Sequence, residues 1–243
     1  MISIKRTSCP DVLKRSPRKG TFYNRKKVVE KLWEMQHGKC CYCEQPLPKK
    51  GHLKAVEHFE PKSIYKERKN DWKNLLLACA QCNGKKSDKF PTMLTNEPDE
   101  DKVIYFDKKK QSKILLIDPS DSSIDPEDHI AYNMDDIDDS EFGIPFERNN
   151  SLYGRTTIDI IGLWEGYYVR KIRDFYDDVL DLTYNNLLKA KHQSNYTRLQ
   201  NLCDKFEMLM SAKEPFAAFA REFARVKKLG RRFPTKIPVG SEV

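Results

Sequence analysis

Two pairs of cysteines with the same internal spacing constrain this chain more than any other feature of its sequence. The first pair is Cys40 and Cys43, and the second is Cys79 and Cys82. Each pair presents two thiolates from one tight turn, so the four thiolates can hold a single tetrahedral zinc ion. We expect this zinc to be structural and to fix the stretch between the pairs. Cys41 lies inside the first pair, and the sequence leaves open whether it replaces one of the ligands.

The stretch between the cysteine pairs carries the residue types of a hydrolytic site that acts on phosphates. Glu57 and His58 are adjacent, Asn74 follows, and Asn83 comes directly after the last cysteine. A neutral imidazole can take a proton from an attacking water near neutral pH, so His58 is the candidate general base. Oxygen ligands such as those of Glu57 and Asn83 suit Mg²⁺ or Mn²⁺. We predict that Asn74 braces the loop by bonding to backbone across it.

The charge of the chain is distributed unevenly around this candidate site. Residues 1–90 contain 22 Lys and Arg against 9 Asp and Glu, whereas residues 91–150 contain 6 against 16. The basic part would attract a phosphate backbone through counterion release. For any single pair of these side chains, the alternative is that they are ordinary solvated surface residues that bind no ligand. The basic side chains concerned are Lys14, Arg15, Arg18, Lys19, Arg25, Lys26, Lys27, Lys66, Arg68, Lys69, Lys85 and Lys86.

Composition excludes two classes of protein. The hydrophobic content of 39% is enough for a packed core, which argues against a disordered chain. No run of about 18 apolar residues occurs, and the first residues lack the apolar stretch of a signal peptide, so we expect a cytoplasmic protein without a membrane span. Seven cysteines, an odd number, indicate metal ligands and spare thiols rather than a disulfide framework.

Composition and hydrophobic periodicity divide the chain into four segments. Residues 1–20 are predicted to be a basic arm that orders only against a partner or a nucleic acid. Residues 21–95 hold the candidate site, and residues 96–150 form an acidic loop with a hairpin. Residues 151–243 are predicted to be helical and to offer a surface for a partner. The fold class that follows is α+β and mainly helical.

The same patterns predict the individual elements. The expected helices are Phe22–His37, one that begins near Cys82 or Asn83, one or two from Thr156 with a break near Gly162 or Gly166, Tyr196–Met210 and Pro215–Leu229. The expected strands are Leu53–Phe59 and the two strands of a hairpin, Val103–Phe106 and Ile114–Ile117.

The adjacent pair Glu57 and His58, together with Asn74 and the run Asn83–Lys86, resembles the HNH endonuclease motif on its ββα-metal fold. The resemblance implies that residues 21–95 are an HNH nuclease core. It implies that His58 is the general base, that Glu57 and Asn83 hold a catalytic Mg²⁺ or Mn²⁺, and that Asn74 is structural. It also implies that Lys86 contacts a phosphate. Family members usually have Asp at the position of Glu57.

A narrower resemblance extends over residues 20–180, to the HNH subunit of Septu and some retron anti-phage systems. It implies a partner ATPase of the ABC or SMC-like kind that gates the nuclease, and in retron systems a reverse transcriptase with its noncoding DNA. The acidic segment and the helical segment are then the candidate docking surfaces. The runs that carry the resemblance are Cys40–Glu44, Val56–Phe59, Pro61–Ser63, Lys89–Pro91, Leu116–Pro119 and Asp125–Ile130.

Two classes of function stay open at this point. The first is a nuclease that cuts DNA, which we favour, or RNA such as tRNA, because the site reads a phosphodiester and says little about the sugar. The second is a zinc-ribbon module that binds nucleic acid or a partner without cutting it. The substitution His58→Ala separates the two classes, since it abolishes cleavage only in a nuclease.

Overall fold

The computed structural model describes residues 1–14, 20–51, 53–94, 104–105, 112–134 and 140–229. Within these ranges the chain is α+β and mainly helical, as the sequence predicts. The strands form three small antiparallel sheets, and the helices of the C-terminal half pack beside them. None of the described helices combines the length and the apolar character that crossing a membrane requires.

The helices and strands are numbered in chain order. The helices are α1 (Asp11–Lys14), α2 (Lys26–Met35), α3 (Ala80–Lys86), α4 (Leu152–Ile161), α5 (Gly166–Phe175), α6 (Leu182–His192), α7 (Tyr196–Leu209) and α8 (Ala217–Val226). The strands are β1 (Lys54–His58), β2 (Leu75–Cys79), β3 (Pro91–Leu94), β4 (Ile104–Tyr105), β5 (Ser112–Ile114), β6 (Ile130–Tyr132) and β7 (Pro145–Glu147).

Strands β1 and β2 and helix α3 form one ββα unit, in which the helix follows the second strand directly. The two strands are antiparallel, with Glu57 opposite Leu76 and His58 opposite Leu75. All five residues of β2 are buried, whereas β1 is buried only at its last two residues. The sequence therefore directs β2 into the core and brings the end of β1 to the edge of the site.

The first fourteen residues pack against the core. Met1, Ile2 and Leu13 are buried, and the Arg6 Nη1 donates hydrogen bonds to the carbonyls of Trp72 and Leu75 at 2.7 and 3.0 Å. The prediction that residues 1–20 order only against a partner is therefore wrong for residues 1–14. The prediction was based on the charges and prolines of this segment. It did not take into account the three buried apolar side chains that hold the segment against the core. Residues 15–19 lie outside the described part of the chain.

The predicted hairpin of the acidic segment is also wrong. Strand β3 lies in the middle of its sheet and pairs antiparallel with β4 on one side and with β5 on the other. Strands β4 and β5 were expected to pair with each other, but β3 lies between them in the sheet. Local turn signals predicted that pairing, whereas both strands pair with β3, which precedes them in the chain.

The described part of the helical segment, residues 151–229, contains helices where the periodicity predicts them, although the first begins at Leu152 rather than Thr156. Helix α4 ends at Gly162, which adopts a left-handed conformation with φ of 70°, and α5 begins four residues later. Helix α5 runs through a π-helical segment, Tyr176–Asp181, into α6. The buried apolar residues form one cluster from Met1 to Leu229, so the described helices share a core with the ββα unit.

Candidate functional site

The four predicted zinc ligands lie together. Their sulfur atoms are all within 4.8 Å of one another, and all four residues are buried. The Cys43 and Cys79 Sγ atoms are 3.9 Å apart. A Zn–S distance of about 2.3 Å places neighbouring sulfurs of a tetrahedron roughly 3.8 Å apart, so the cluster fits a zinc ion. The remaining members of the cluster are Cys40 and Cys82.

Cys41 does not belong to this cluster. It is buried, its backbone N–H donates to the Leu77 carbonyl at 3.0 Å, and burial raises the pKa of its thiol well above the usual value. The cluster of four neighbouring sulfur atoms consists of the two cysteines of each pair and does not include Cys41.

Gln36 connects the first cysteine turn to strand β2, a role that sequence reasoning missed. Its Nε2 donates to the carbonyls of Lys39 and Leu77 at 2.8 and 2.7 Å, while its Oε1 accepts from the Leu77 N–H at 2.7 Å. The side chain is buried, so these bonds satisfy backbone groups that water does not reach. A glutamine at the end of an amphipathic helix is a common residue, and only the fold shows its partners.

Glu57 lies at the centre of a buried hydrogen-bonded group on the helix side of β1. Its Oε1 accepts from the Lys86 ammonium at 2.7 Å and from the Tyr42 hydroxyl at 3.3 Å, and its Oε2 accepts from the Asn83 Nδ2 at 2.6 Å. Only 1% of Glu57 is exposed. Burial raises the pKa of this carboxyl, and the three donors, with Lys86 the strongest, oppose that effect.

These contacts determine the orientation of the Asn83 side chain. A carboxylate has no hydrogen to donate, so the atom that faces Glu57 must be Nδ2. The Asn83 Oδ1 therefore points away from Glu57, and it has no hydrogen-bond partner among the described residues. Asn83 is half-buried. The predicted metal ligand thus presents a free amide oxygen, whereas the other predicted ligand, Glu57, has both oxygens engaged.

Lys86 does not lie where a phosphate contact would need it. Its side chain is fully buried, and its ammonium donates to the Glu57 carboxylate and, at 2.9 Å, to the His58 carbonyl. A phosphate of a nucleic-acid backbone cannot reach a cation enclosed in this way. The prediction that Lys86 contacts a phosphate is therefore wrong, because helix α3 turns this side chain toward β1.

His58 contacts a different set of residues from Glu57, as neighbours in an extended strand must. Its Nε2 lies 2.9 Å from the backbone carbonyl oxygen of Lys69. A carbonyl only accepts, so Nε2 carries the hydrogen and Nδ1 keeps its lone pair. The described residues provide no hydrogen-bond partner for Nδ1.

Burial keeps this imidazole neutral. It lowers the pKa of His58 to about 4, and the hydrogen bond to Lys69 opposes that shift. The cations of Lys62, Lys86 and Lys69 lower the pKa further. Only 6% of His58 is exposed. Burial therefore keeps the ring in the neutral form, which a general base requires.

Asn74 connects the two ends of the loop between β1 and β2. Its Oδ1 accepts from the Glu60 N–H at 2.7 Å, and its Nδ2 donates to the carbonyls of Glu60 and Arg68 at 3.0 and 3.3 Å. Arg68 directly precedes Lys69, whose carbonyl accepts from His58. Asn74 therefore holds the backbone next to the carbonyl that accepts from His58, which is consistent with the predicted bracing role.

A second asparagine, which the sequence did not single out, attaches the segment before α2 to the same loop. The Asn70 Oδ1 accepts from the N–H groups of Phe22 and Tyr23 at 3.0 and 3.2 Å, and its Nδ2 donates to the Gly20 carbonyl at 3.1 Å. The Tyr23 ring consequently lies edge-on against the His58 ring, with 4.5 Å between the ring centroids. An Asn-Asp pair in a polar loop was the available signal, but it does not reveal a partner 47 residues away.

One comparison with known protein families covers the site itself. Residues 40–89 match the family model described as HNH endonuclease. The match extends from Cys40, the first cysteine of the cluster, to the end of the turn after α3, so it contains β1, β2, α3 and the four cysteines. This part of the chain is therefore an HNH domain.

Three curated relatives bear the names of Septu proteins. The Septu protein PtuB of Bacillus thuringiensis is 47% identical over 55 residues, which are 23% of this chain and 21% of that protein. PtuB of Bacillus mycoides (strain KBAB4) is 28% identical over 124 residues, 45% of this chain and 40% of that protein. The Septu protein PtuA of the same strain is 27% identical over 175 residues, 66% of this chain and 22% of that protein.

The chain thus spans between 21% and 40% of the length of these relatives. The strongest identity falls in the shortest match, and the longer matches lie below 30%. All three names refer to Septu, so these relatives give no support to a retron component as partner.

Proposed function

We propose that this chain, which carries an HNH endonuclease domain and is related to the Septu protein PtuB, is a metal-dependent nuclease that hydrolyses phosphodiester bonds. We further propose that it works in the cytoplasm as the nuclease of an anti-phage defence complex. The single observation that carries the proposal is the state of His58. Its Nε2–H is bound to a backbone carbonyl, which leaves a neutral Nδ1 without a hydrogen-bond partner among the described residues.

The reaction that this arrangement supports begins with a water molecule next to His58. The Nδ1 lone pair takes one proton from the water while the water oxygen forms a bond to phosphorus. The bond between phosphorus and the leaving oxygen breaks, and the leaving oxygen takes a proton from solvent. The Lys69 carbonyl stabilises the imidazolium that results, because it accepts a hydrogen bond from Nε2–H in both protonation states.

Two metal ions belong to the proposal. The zinc would be held by the four cysteines and would fix the ββα unit. A Mg²⁺ or Mn²⁺ would be held by the Asn83 oxygen together with water and substrate oxygens, and when bound it would neutralise charge on the phosphate. In this assignment Glu57 does not bind the metal directly, although the resemblance implies that it does. Its carboxylate instead orients the Asn83 amide by accepting a hydrogen bond from Nδ2.

The partner is proposed from the relatives. A PtuB homologue and a PtuA homologue both align with this chain, which supports a PtuA-like partner, and we take that partner to be an ATPase that gates cutting. DNA is the favoured substrate, and RNA such as tRNA is the alternative because no residue of the motif reads the sugar.

The test uses the purified chain, with and without a PtuA-like partner, in Mg²⁺ or Mn²⁺. We expect cleavage of labelled duplex DNA, and His58→Ala should slow it on the order of 100- to 10,000-fold. Because the substitution removes a buried ring, the thermal unfolding midpoint should fall, and a cooperative transition above the assay temperature shows that the variant is folded. Total RNA in a parallel reaction decides between the two polymers. Equal biological protection by the unchanged chain and by His58→Ala would instead identify a binding module that does not cut.

A second variant tests the metal assignment. Asn83→Ala removes the free oxygen but leaves the cysteines in place, so the zinc content should stay constant while the Mg²⁺ concentration for half-maximal cleavage rises. Lys73→Ala, an exposed side chain in the loop before Asn74, is the control. An unchanged Mg²⁺ requirement in Asn83→Ala would remove Asn83 from the metal site.

A further inference from the structure

Two polar side chains from distant parts of the sequence meet beside His58. The Lys62 ammonium donates to the Tyr23 hydroxyl oxygen at 3.0 Å and lies 4.9 Å from the centroid of the Tyr23 ring. The same ring lies edge-on against His58. Tyr23 and Lys62 are 39 positions apart, so only the fold brings them together.

Several hydrogens in this pair remain without an acceptor. A lysine ammonium has three N–H donors, and one of them is used by Tyr23. The Tyr23 hydroxyl accepts that bond and so keeps its own hydrogen to donate. The described residues supply no acceptor for these remaining hydrogens. Lys62 is exposed, so its free donors face solvent rather than protein.

The position of the pair is fixed from two sides. Asn70 binds the backbone of Phe22 and Tyr23, and the cation–π contact orients the Lys62 ammonium over the ring. An exposed lysine is ordinarily free to sample many rotamers, and a fixed one loses less entropy when it binds an anion. The pair is thus a preordered donor group, with one cation and one hydroxyl 3.0 Å apart.

We propose that Lys62 and Tyr23 bind the phosphate that is cleaved next to His58, the role that the buried Lys86 cannot fill. This inference rests on the proposed nuclease function and names the residues that hold its substrate. Lys62 would contact a non-bridging oxygen directly, and the Tyr23 hydroxyl would donate a second hydrogen bond while it holds the ammonium in place.

The alternative is that Lys62 only covers the Tyr23 ring. Single-turnover cleavage separates the two readings. Lys62→Ala should lower the cleavage rate on the order of 100-fold, and Lys62→Arg should restore most of it, because a guanidinium also binds phosphate. Tyr23→Phe keeps the ring against His58 and removes the hydroxyl, so roughly a tenfold loss is expected. Lys73→Ala removes the same charge from the same loop and should match the unchanged chain.

Binding without cleavage supplies an independent readout. In the His58→Ala background, anisotropy of a short labelled DNA duplex is followed against salt concentration. Lys62→Ala should reduce the slope of log affinity against log salt by about one, the value for one lost phosphate contact. Lys73→Ala should leave this slope unchanged.

Each outcome has a defined meaning. Cleavage and salt slopes in Lys62→Ala that equal those of Lys73→Ala would overturn the proposal. If the unchanged chain cuts neither DNA nor RNA but Lys62→Ala still reduces the salt slope, the nuclease function fails while the phosphate contact stands. If the unchanged chain neither cuts nor binds, both proposals fail together. Thermal unfolding of every variant confirms that the fold is intact.

Discussion

At the scale of single residues, Asn74 holds the loop that supplies the backbone partner of His58. Its amide bonds to Glu60 near the start of the loop and to Arg68 near the end. The position of the Lys69 carbonyl depends on these contacts, and the tautomer of His58 depends on that carbonyl. A residue without chemistry of its own therefore determines which ring nitrogen is the base.

Asn74→Ala tests this dependence. The variant removes three hydrogen bonds and leaves a buried part of the loop backbone without partners, so the free energy of unfolding should fall by about 2–4 kcal/mol. Urea denaturation measures the change, with Lys73→Ala as the exposed neighbour for comparison. A loss below about 0.5 kcal/mol, the usual range of a surface substitution, would contradict the bracing role.

Glu222 gives the fold a defined pH dependence. Burial would raise the pKa of this carboxyl, but hydrogen bonds from Arg225 and Arg148 outweigh burial and lower it. The Arg148 Nη2 lies 2.6 Å from Glu222 Oε2. A carboxyl whose folded pKa is depressed stabilises the fold above its unfolded pKa of about 4.5, and this contribution is lost as the pH falls through the folded pKa.

We therefore expect Glu222→Gln to lower the free energy of unfolding by about 2 kcal/mol at pH 7. The difference between the variant and the unchanged chain should shrink as the pH falls below about 4.5. Denaturant titrations over a pH series measure it. A difference that stays constant down to pH 3 would show that the carboxylate charge is not what stabilises the fold.

The residues of the site illustrate what a sequence can and cannot predict. The types and spacing of His58, Asn74 and Asn83 predict a hydrolytic motif, and the fold shows the contacts of each side chain, while their roles stay a prediction. The error at Lys86 came from its burial, since a lysine near a helix end is ordinarily exposed. Cys82 lies four positions before Lys86, on the same helical face, and this spacing was the signal that Lys86 faces inward.

At the scale of elements, helix packing depends on one glycine. Gly154 lies in α4, and a Cβ built on it would be 2.0 Å from the carbonyl oxygen of His129. The backbone of α4 at Gly154 therefore lies so close to the His129 carbonyl, just before β6, that no side chain fits between them. Gly84 in α3 is the opposite case, because a Cβ there meets nothing within 4 Å.

Gly154 and Gly84 form a matched pair of predictions. Gly154→Ala should destabilise the fold by about 3 kcal/mol or more, because the overlap is with backbone and cannot be relieved by a rotamer change. Gly84→Ala should stabilise α3 by about 0.5–1 kcal/mol, since it only removes the helix penalty of glycine. Denaturation curves measure both, and equal effects of the two substitutions would contradict the packing of α4.

Elements with strong local patterns were the predictable part of the fold. Helices α7 and α8 lie within the ranges that periodicity predicts, and Gly162 ends α4 as a left-handed cap. The order β4-β3-β5 could not be predicted in the same way. Strand pairing depends on contacts between distant segments, and short runs of apolar residues do not specify which segment they pair with.

At the scale of the whole molecule, the first cysteine turn is attached to the loop between two C-terminal helices. The Lys39 ammonium donates to the carbonyls of Ala212 and Glu214, between α7 and α8, at 2.7 and 2.6 Å. Burial lowers the pKa of Lys39, and Glu44 opposes that shift. This contact joins the loop between α7 and α8 to the residue before the first cysteine of the cluster.

The zinc site should determine whether the molecule folds. A structural zinc contributes folding free energy directly, so Cys79→Ser should lose the metal and unfold cooperatively at a lower temperature. Cys41→Ser, at a buried cysteine outside the cluster, should keep one zinc per chain. Metal content and thermal unfolding of the two variants check this, and a stable, zinc-free Cys79→Ser protein would be incompatible with a structural zinc.

The most direct test of the general-base assignment is chemical rescue at position 58. His58→Gly leaves a space where the ring was held, and the Lys69 carbonyl remains there to orient a small base. The account predicts that added imidazole raises the single-turnover cleavage rate of His58→Gly roughly tenfold or more, while Asn83→Ala shows no such response. Cleavage by His58→Gly at the rate of the unchanged chain, without imidazole, would contradict it.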